Sequence, residues 1–180
     1  SYTSQYYHHV KAFPRYISAA HSHCDDIKWR QILLQNLNDE EMGDDNHPEL
    51  WARFAEGLGI SRSCLNETNP WPSTAALVTI FHKCAANSFA DGIGALYAYE
   101  HQVQDIADFK LKALNTYYNI QDHRTLAFFE VHDGLGKPAK LCQHEAECCV
   151  GPSLVGGGSD GISIRLGRLL ESTLAFQRDA

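Results

Sequence analysis

What this chain lacks sets the first bounds on it. No apolar run approaches the roughly 20 residues that a bilayer crossing needs, so no membrane role is expected. The opening residues Ser1 to Tyr7 have neither the basic start nor the apolar stretch of a secretory leader. Basic residues are scarce: 15 Lys and Arg stand against 22 Asp and Glu, and a net charge of −7 argues against a nucleic-acid surface. The six cysteines (Cys24, Cys64, Cys84, Cys142, Cys148, Cys149) form no CxxC pair and no regular spacing. That excludes a disulfide scaffold or zinc ribbon and leaves reduced thiols in the cytoplasm as the expectation. Cys142, His144, Cys148 and Cys149 together have zinc-binding chemistry without zinc-binding spacing. Strand-like alternation is scarce and internal repeats are missing.

What is present is helical period. With 180 residues and 44% apolar side chains, the chain suits one helical domain spanning 1–180. A first helix is expected over about 2–23; its opening residues read as helix interior, as though a segment upstream were missing. A second runs from Asp25 or Asp26 to Met42, stopped by Gly43. A third starts at Asn46-His47-Pro48, where Asn caps and Pro suits the first turn. Residues 66–73, with two prolines, read as a loop. Residues 74–119 form two or three helical pieces, and Asp122 caps a helix to about 133. From Gly134 to Gly161 glycine and proline crowd the sequence, leaving that stretch poorly specified around a short piece at 139–148. A last helix is expected over 162–177.

Several charged groups fall on apolar faces. Trp29, Leu33, Leu37 and Glu40 share one helix face, as do Phe89, Ile93, Leu96 and Glu100. Val103, Ala107, Lys110 and Leu114 continue the second stripe and place an ammonium on it. His132 lies one turn beyond Phe128 and Phe129, and His47 follows Glu40 across a helix break. Tyr99, next to Glu100, points to another part of its helix. Burying a charge without a partner costs several kcal/mol, so each group calls for a counter-charge, a hydrogen bond or a metal. Taken singly, a buried His is more often a satisfied core residue and a buried Glu half of an ion pair. Two Glu and two His on three or four helices match the way bundles build di-iron sites, and carboxylate with imidazole suits iron or manganese better than structural zinc.

The strings Tyr6-Tyr7-His8-His9-Val10-Lys11-Ala12-Phe13-Pro14-Arg15-Tyr16, His21-Ser22-His23-Cys24-Asp25-Asp26, Asn36-Leu37-Asn38-Asp39-Glu40-Glu41 and Asn46-His47-Pro48-Glu49-Leu50-Trp51 carry more than composition. With Ala95-Leu96-Tyr97-Ala98-Tyr99-Glu100 and Phe128-Phe129-Glu130-Val131-His132, they resemble the CADD-like proteins, named for chlamydial protein associating with death domains. These fall among the haem-oxygenase-like di-metal oxidases, and the resemblance covers about residues 2–132. It implies an all-α haem-oxygenase-like bundle of about seven helices, with the first lying upstream of this chain. It implies metal ligation by Glu40, His47, Glu100 and His132, two iron ions or one iron with one manganese, and O2 as co-substrate. Such proteins supply the p-aminobenzoate unit of folate from a tyrosine of their own chain. The lysine matching their proposed amino donor is Lys110, and Tyr2 matches a family tyrosine near the metals.

Two departures accompany the resemblance. The family's last helix carries His-x-x-x-Asp-x-x-His, but Gly136 and Ala139 follow His132 here, so two ligands are missing, with Asp133 or His144 as weak substitutes. The family's upstream helix, with its own tyrosine, precedes Ser1. A homodimer is implied by analogy, and death-domain binding by the family name alone. The rival readings are a metal-free enzyme of the TenA or PqqC type acting on a heterocycle, and a non-enzymatic interaction protein.

Overall fold

Capping residues and breakers divide the chain where the side chains demand it. The computed structural model describes residues 1–132, with His101 by its backbone alone, and that part consists of seven helices. They are α1 (Tyr2–Ser22), α2 (Ile27–Glu41), α3 (His47–Gly57), α4 (Arg62–Glu67), α5 (Pro72–Asn87), α6 (Phe89–Tyr118) and α7 (His123–Glu130). Asp26, Asn46, Ser61, Ser88 and Asp122 each accept a backbone N–H of the following turn, satisfying donors that a helix start leaves orphaned. Gly43 (φ 79°) and Gly59 (φ 78°) take left-handed backbone after α2 and α3, and Asn119 (φ 53°) does so at the end of α6.

One expected boundary needs correction, and two that stay open in the sequence are settled. The helix starting at Asn46 ends at Gly57, and the left-handed turn at Gly59 sets off α4. The stretch 74–119 is two helices, parted at Ser88, whose extended backbone ends α5 while its side chain caps α6. The helix expected to reach 133 stops at Glu130, so His132 stands in a turn just beyond it. The pieces expected at 139–148 and 162–177, the segment 134–161, Gly136, Ala139 and the cysteine cluster at 142–149 lie outside the described residues.

Helix α1 runs through the centre, packing on α2, α3, α5 and α6, while α7 lies across α3 and α6. Its buried residues include polar ones, and most of these are tied. Gln5 accepts from the Trp71 amide and the Thr74 hydroxyl, both at 2.8 Å, and donates to the Asn69 carbonyl at 3.0 Å. Trp51, fully buried on α3, donates its indole N–H to the Thr3 carbonyl at 2.9 Å. Helices α3 and α7 touch so closely that a Cβ on Gly57 would sit 2.1 Å from the Thr125 hydroxyl oxygen. Among the described residues no helix is long and apolar enough to cross a membrane.

Candidate metal centre

The inward face of α2 begins the site. Asn36 and Glu40, one turn apart, are both buried, Glu40 at 6% exposure. The break at Met42–Asn46 folds α3 back, so that His47 in its first turn meets Glu40, Nδ1 to Oε2 at 2.7 Å. His132 arrives from the end of α7 with its ring 4.6 Å from that of His47. Its Nδ1 is held 2.6 Å from the Phe128 carbonyl oxygen, which fixes the ring and leaves Nε2 for a ligand. Glu100 on α6 joins from the other side, accepting the Asn36 amide N–H at 3.1 Å. Glu40, His47 and His132 thus lie in a row at the end of α2, and Glu100 reaches the same helix through Asn36.

Burial, then the neighbouring His47, pushes His132 down to about 4, so its imidazole is neutral and in ligand form near pH 7. Beside it a second group assembles. Lys110, half-buried, sets its Nζ 4.5 Å from the centroid of the Tyr2 ring, and burial lowers its pKa toward the neutral amine. Tyr2 packs on Tyr6, with ring centroids 5.4 Å apart. The Tyr6 and Tyr99 hydroxyls hydrogen-bond to each other. Burial raises both phenols, and each also feels the other and the Glu40 carboxylate. A small apolar pocket between Tyr2, Trp51, Val103, Phe128 and His132 separates the two groups.

Tyr99 and Glu100 take different directions from α6. The Tyr99 ring packs on His9 (4.8 Å) and Phe13 (4.9 Å) inside the bundle, whereas Glu100 meets Asn36. Helix α6 is enclosed on both sides at this level, so neighbours about 100° apart both face inward. Asn36 and Tyr6 were missed. Asn36 had a signal, its i, i+4 spacing to Glu40; Tyr6 had none, because its partner comes from the other end of the chain.

The donor set suits iron in its chemistry, carboxylate with imidazole. Among the described residues no three His, Cys, Asp or Glu side chains stand close enough to hold one ion. The donors come in contacts instead: Glu40 with His47, His47 with His132, Glu100 with Asn36 one turn from Glu40. Ligands on bonds of about 2.1 Å at right angles lie about 3 Å apart, so the 2.7 Å Glu40–His47 contact needs only a slight opening to admit a cation. A carboxylate so deeply buried gains from such an ion, which replaces the hydration it has lost.

The family model described as iron-containing redox enzyme, of haem-oxygenase type, matches residues 1–138. The chain is 41% identical over 134 residues to a protein of Chlamydia trachomatis named 4-aminobenzoate synthase, covering 74% of this chain and 58% of that one. A protein of the same name from Nitrosomonas europaea is 40% identical over 141 residues, covering 73% and 57%. The chain therefore spans somewhat over half the length of these relatives. In fold it is similar to a TenA homologue from Pseudomonas syringae pv. tomato, with TM-score 0.74, 16% identity and coverage of 97% of this chain and 73% of that one. It is also similar to a haem-oxygenase-like domain of unknown function from Shewanella denitrificans, with TM-score 0.67, 16% identity and coverage of 98% and 72%.

Proposed function

Because the chain belongs to the iron-containing redox enzymes of haem-oxygenase type, we propose that it is an O2-dependent di-metal oxidase of the 4-aminobenzoate synthase kind. The observation that carries this reading is the meeting of Glu40, His47 and His132, with Glu100 joined through Asn36, beside a lysine that faces a tyrosine ring. Glu40, His47, Glu100 and His132 would hold the metal, two irons or one iron with one manganese. When bound, that pair supplies the activation of O2 and the electrons for it.

The rest belongs to the chain's own residues. The Phe128 carbonyl and the Asn36 amide orient His132 and Glu100. Trp51, Phe128 and Val103 keep water from the pocket. Lys110, partly desolvated, is enriched in the neutral amine that can give up its nitrogen. Tyr2, lying under it, is the ring best placed to be consumed, so each chain acts once. The names of the relatives support p-aminobenzoate as the product. A cytoplasmic homodimer is the form in which we expect it to work.

The test is direct. Protein loaded with ferrous iron and exposed to oxygen should yield p-aminobenzoate. Glu100→Ala should lose both iron and product, whereas Lys110→Ala should keep its iron and lose the product. Undiminished product from Glu100→Ala removes the metal mechanism, and full activity in Lys110→Ala ends the donor role. Metal-free protein turning over a heterocycle would favour the TenA-type alternative.

A further inference from the structure

His9 is an imidazole with no visible employment. It sits in the middle of α1 at 1% exposure, ringed by Tyr6, Phe13, Tyr16, Phe81 and Tyr99. Neither of its ring nitrogens has a hydrogen-bond partner, and the buried Tyr16 hydroxyl has none either. Buried polar atoms are nearly always paired, and phenylalanine at either position would fill similar space without leaving any unpaired. Two such residues in contact need a reason.

Their placement supplies one. On its inner side the His9 ring lies 4.8 Å from Tyr99 and 5.7 Å from Tyr6, the hydroxyl pair that feels the Glu40 carboxylate. On its outer side it lies 5.7 Å from Tyr16. The Tyr16 ring in turn meets His82 at 4.7 Å, and His82 is a half-buried residue of α5 beside exposed Arg15. A file of groups able both to donate and to accept a proton therefore crosses an otherwise apolar core, from the α1–α5 surface to the site.

We propose that His82, Tyr16 and His9, linked by water, are the path by which protons reach the Tyr6–Tyr99 hydroxyls and the carboxylates behind them. The need for such a path rests on the functional reading above, since reducing O2 in a closed site takes up protons that must come from solvent. Burial holds His9 neutral, at about 3, so it works by exchange: one nitrogen accepts a proton as the other gives one up. Tyr16 passes protons in the same way, binding one at its oxygen as its own leaves. Each hop moves one proton and no electron, and every member ends neutral, so no oxidant or reductant enters these steps.

The first test uses metal-free protein and is independent of turnover. In full-length chain labelled with 15N-histidine, the His9 ring N–H should exchange with D2O far faster than the amides of α1 around it. Tyr16→Phe should slow that exchange about tenfold or more, with thermal stability unchanged or raised. A His9 N–H as protected as those amides, or exchange indifferent to Tyr16→Phe, overturns the proposal. The second test uses iron-loaded protein and follows O2 uptake. His9→Ala should slow uptake by about tenfold or more at unchanged iron content. Free imidazole should restore the rate by entering the vacated space, whereas benzene, which fills it without carrying protons, should restore thermal stability alone. Equal rescue by both assigns His9 to packing and sinks the path. If the wild-type protein takes up no O2, the oxidase reading fails, and the exchange experiment still decides whether His9 is connected to solvent.

Discussion

Two clusters of charge lie back to back on α3, two residues apart in sequence and opposite in character. His47 faces inward to a buried carboxylate; Glu49 faces outward to guanidinium groups. On the outer side nearly everything is matched. Glu49 accepts from Arg62 at 2.6 and 2.8 Å and from Arg53 at 3.0 Å, Arg62 also reaches Glu56 at 2.7 Å, and Arg124 of α7 closes on Glu56 at 2.7 Å. Arg62 above all, then Arg53, holds the Glu49 carboxyl down to about 2. On the inner side the contacts are of another kind. Glu40 faces an imidazole, Glu100 an amide, and His132 a backbone carbonyl. The outer network clamps α3, α4 and α7 together with its charges satisfied. In the inner one a buried carboxylate meets an imidazole, a donor pair that also suits a cation. The lesson is that the partner a carboxylate meets, guanidinium or imidazole, separates a structural ion network from a candidate metal centre.

That contrast can be broken by experiment, most severely at the inner cluster. Glu40→Ala should lower iron affinity on the order of 100-fold, the loss that accompanies removal of groups that make or orient a metal site. It should also cost the metal-free protein some thermal stability, because the truncation leaves a cavity and takes away the partner of His47. Metal analysis beside calorimetry reads both, and iron bound at wild-type affinity would contradict the assignment.

Gly57→Ala tests the seam between the clusters. Its Cβ would sit 2.1 Å from Thr125 Oγ1, so α7 must shift, at about 1–3 kcal/mol. Because α7 delivers His132 inside and Arg124 outside, urea unfolding should show the lost stability and iron binding should weaken with it.

Acid separates the two clusters by pH window. His132, at about 4, and His9, at about 3, are both depressed by burial, so their unfolded forms bind protons first as pH falls below about 6.5. The stability they contribute is fully present above that pH and is lost on the way down to 4 and beyond. The slope is ~1.4 kcal/mol per pH unit for each imidazole where only the unfolded state is protonated. Glu49 is also depressed, so its contribution stays intact until pH drops below about 4.5 and fades toward 2. Metal-free protein titrated by denaturant midpoint should therefore weaken already between pH 6 and 5. A flat profile there would refute neutral, buried imidazoles.

The smallest effect belongs to the outer network. Arg62 is exposed at the surface, so Arg62→Ala should cost no more than about 1 kcal/mol, an effect that shrinks further in high salt, and leave iron content unchanged.

How much of this was legible beforehand depends on range. The inward aim of Glu40 and Glu100 followed from periodicity along single helices, and Asp26, Asn46 and Asp122 announced helix starts by their side-chain chemistry. The family resemblance then named the ligands that geometry alone had only grouped. What Tyr99 meets was not legible, because α6 is packed on several sides and its neighbours there come from α1. Where the helix begun at Asn46 ends was not legible, because a single glycine within a helical pattern does not reveal its φ.

Sequence by itself thus determined which segments are helical, which faces are apolar and which acids and imidazoles are buried, since these depend on residues a few positions apart. Tertiary structure alone decided which of them meet. His47 finds His132, Tyr6 finds Tyr99, and His9 is left without a partner only because distant helices cross where they do, and no local period encodes a crossing.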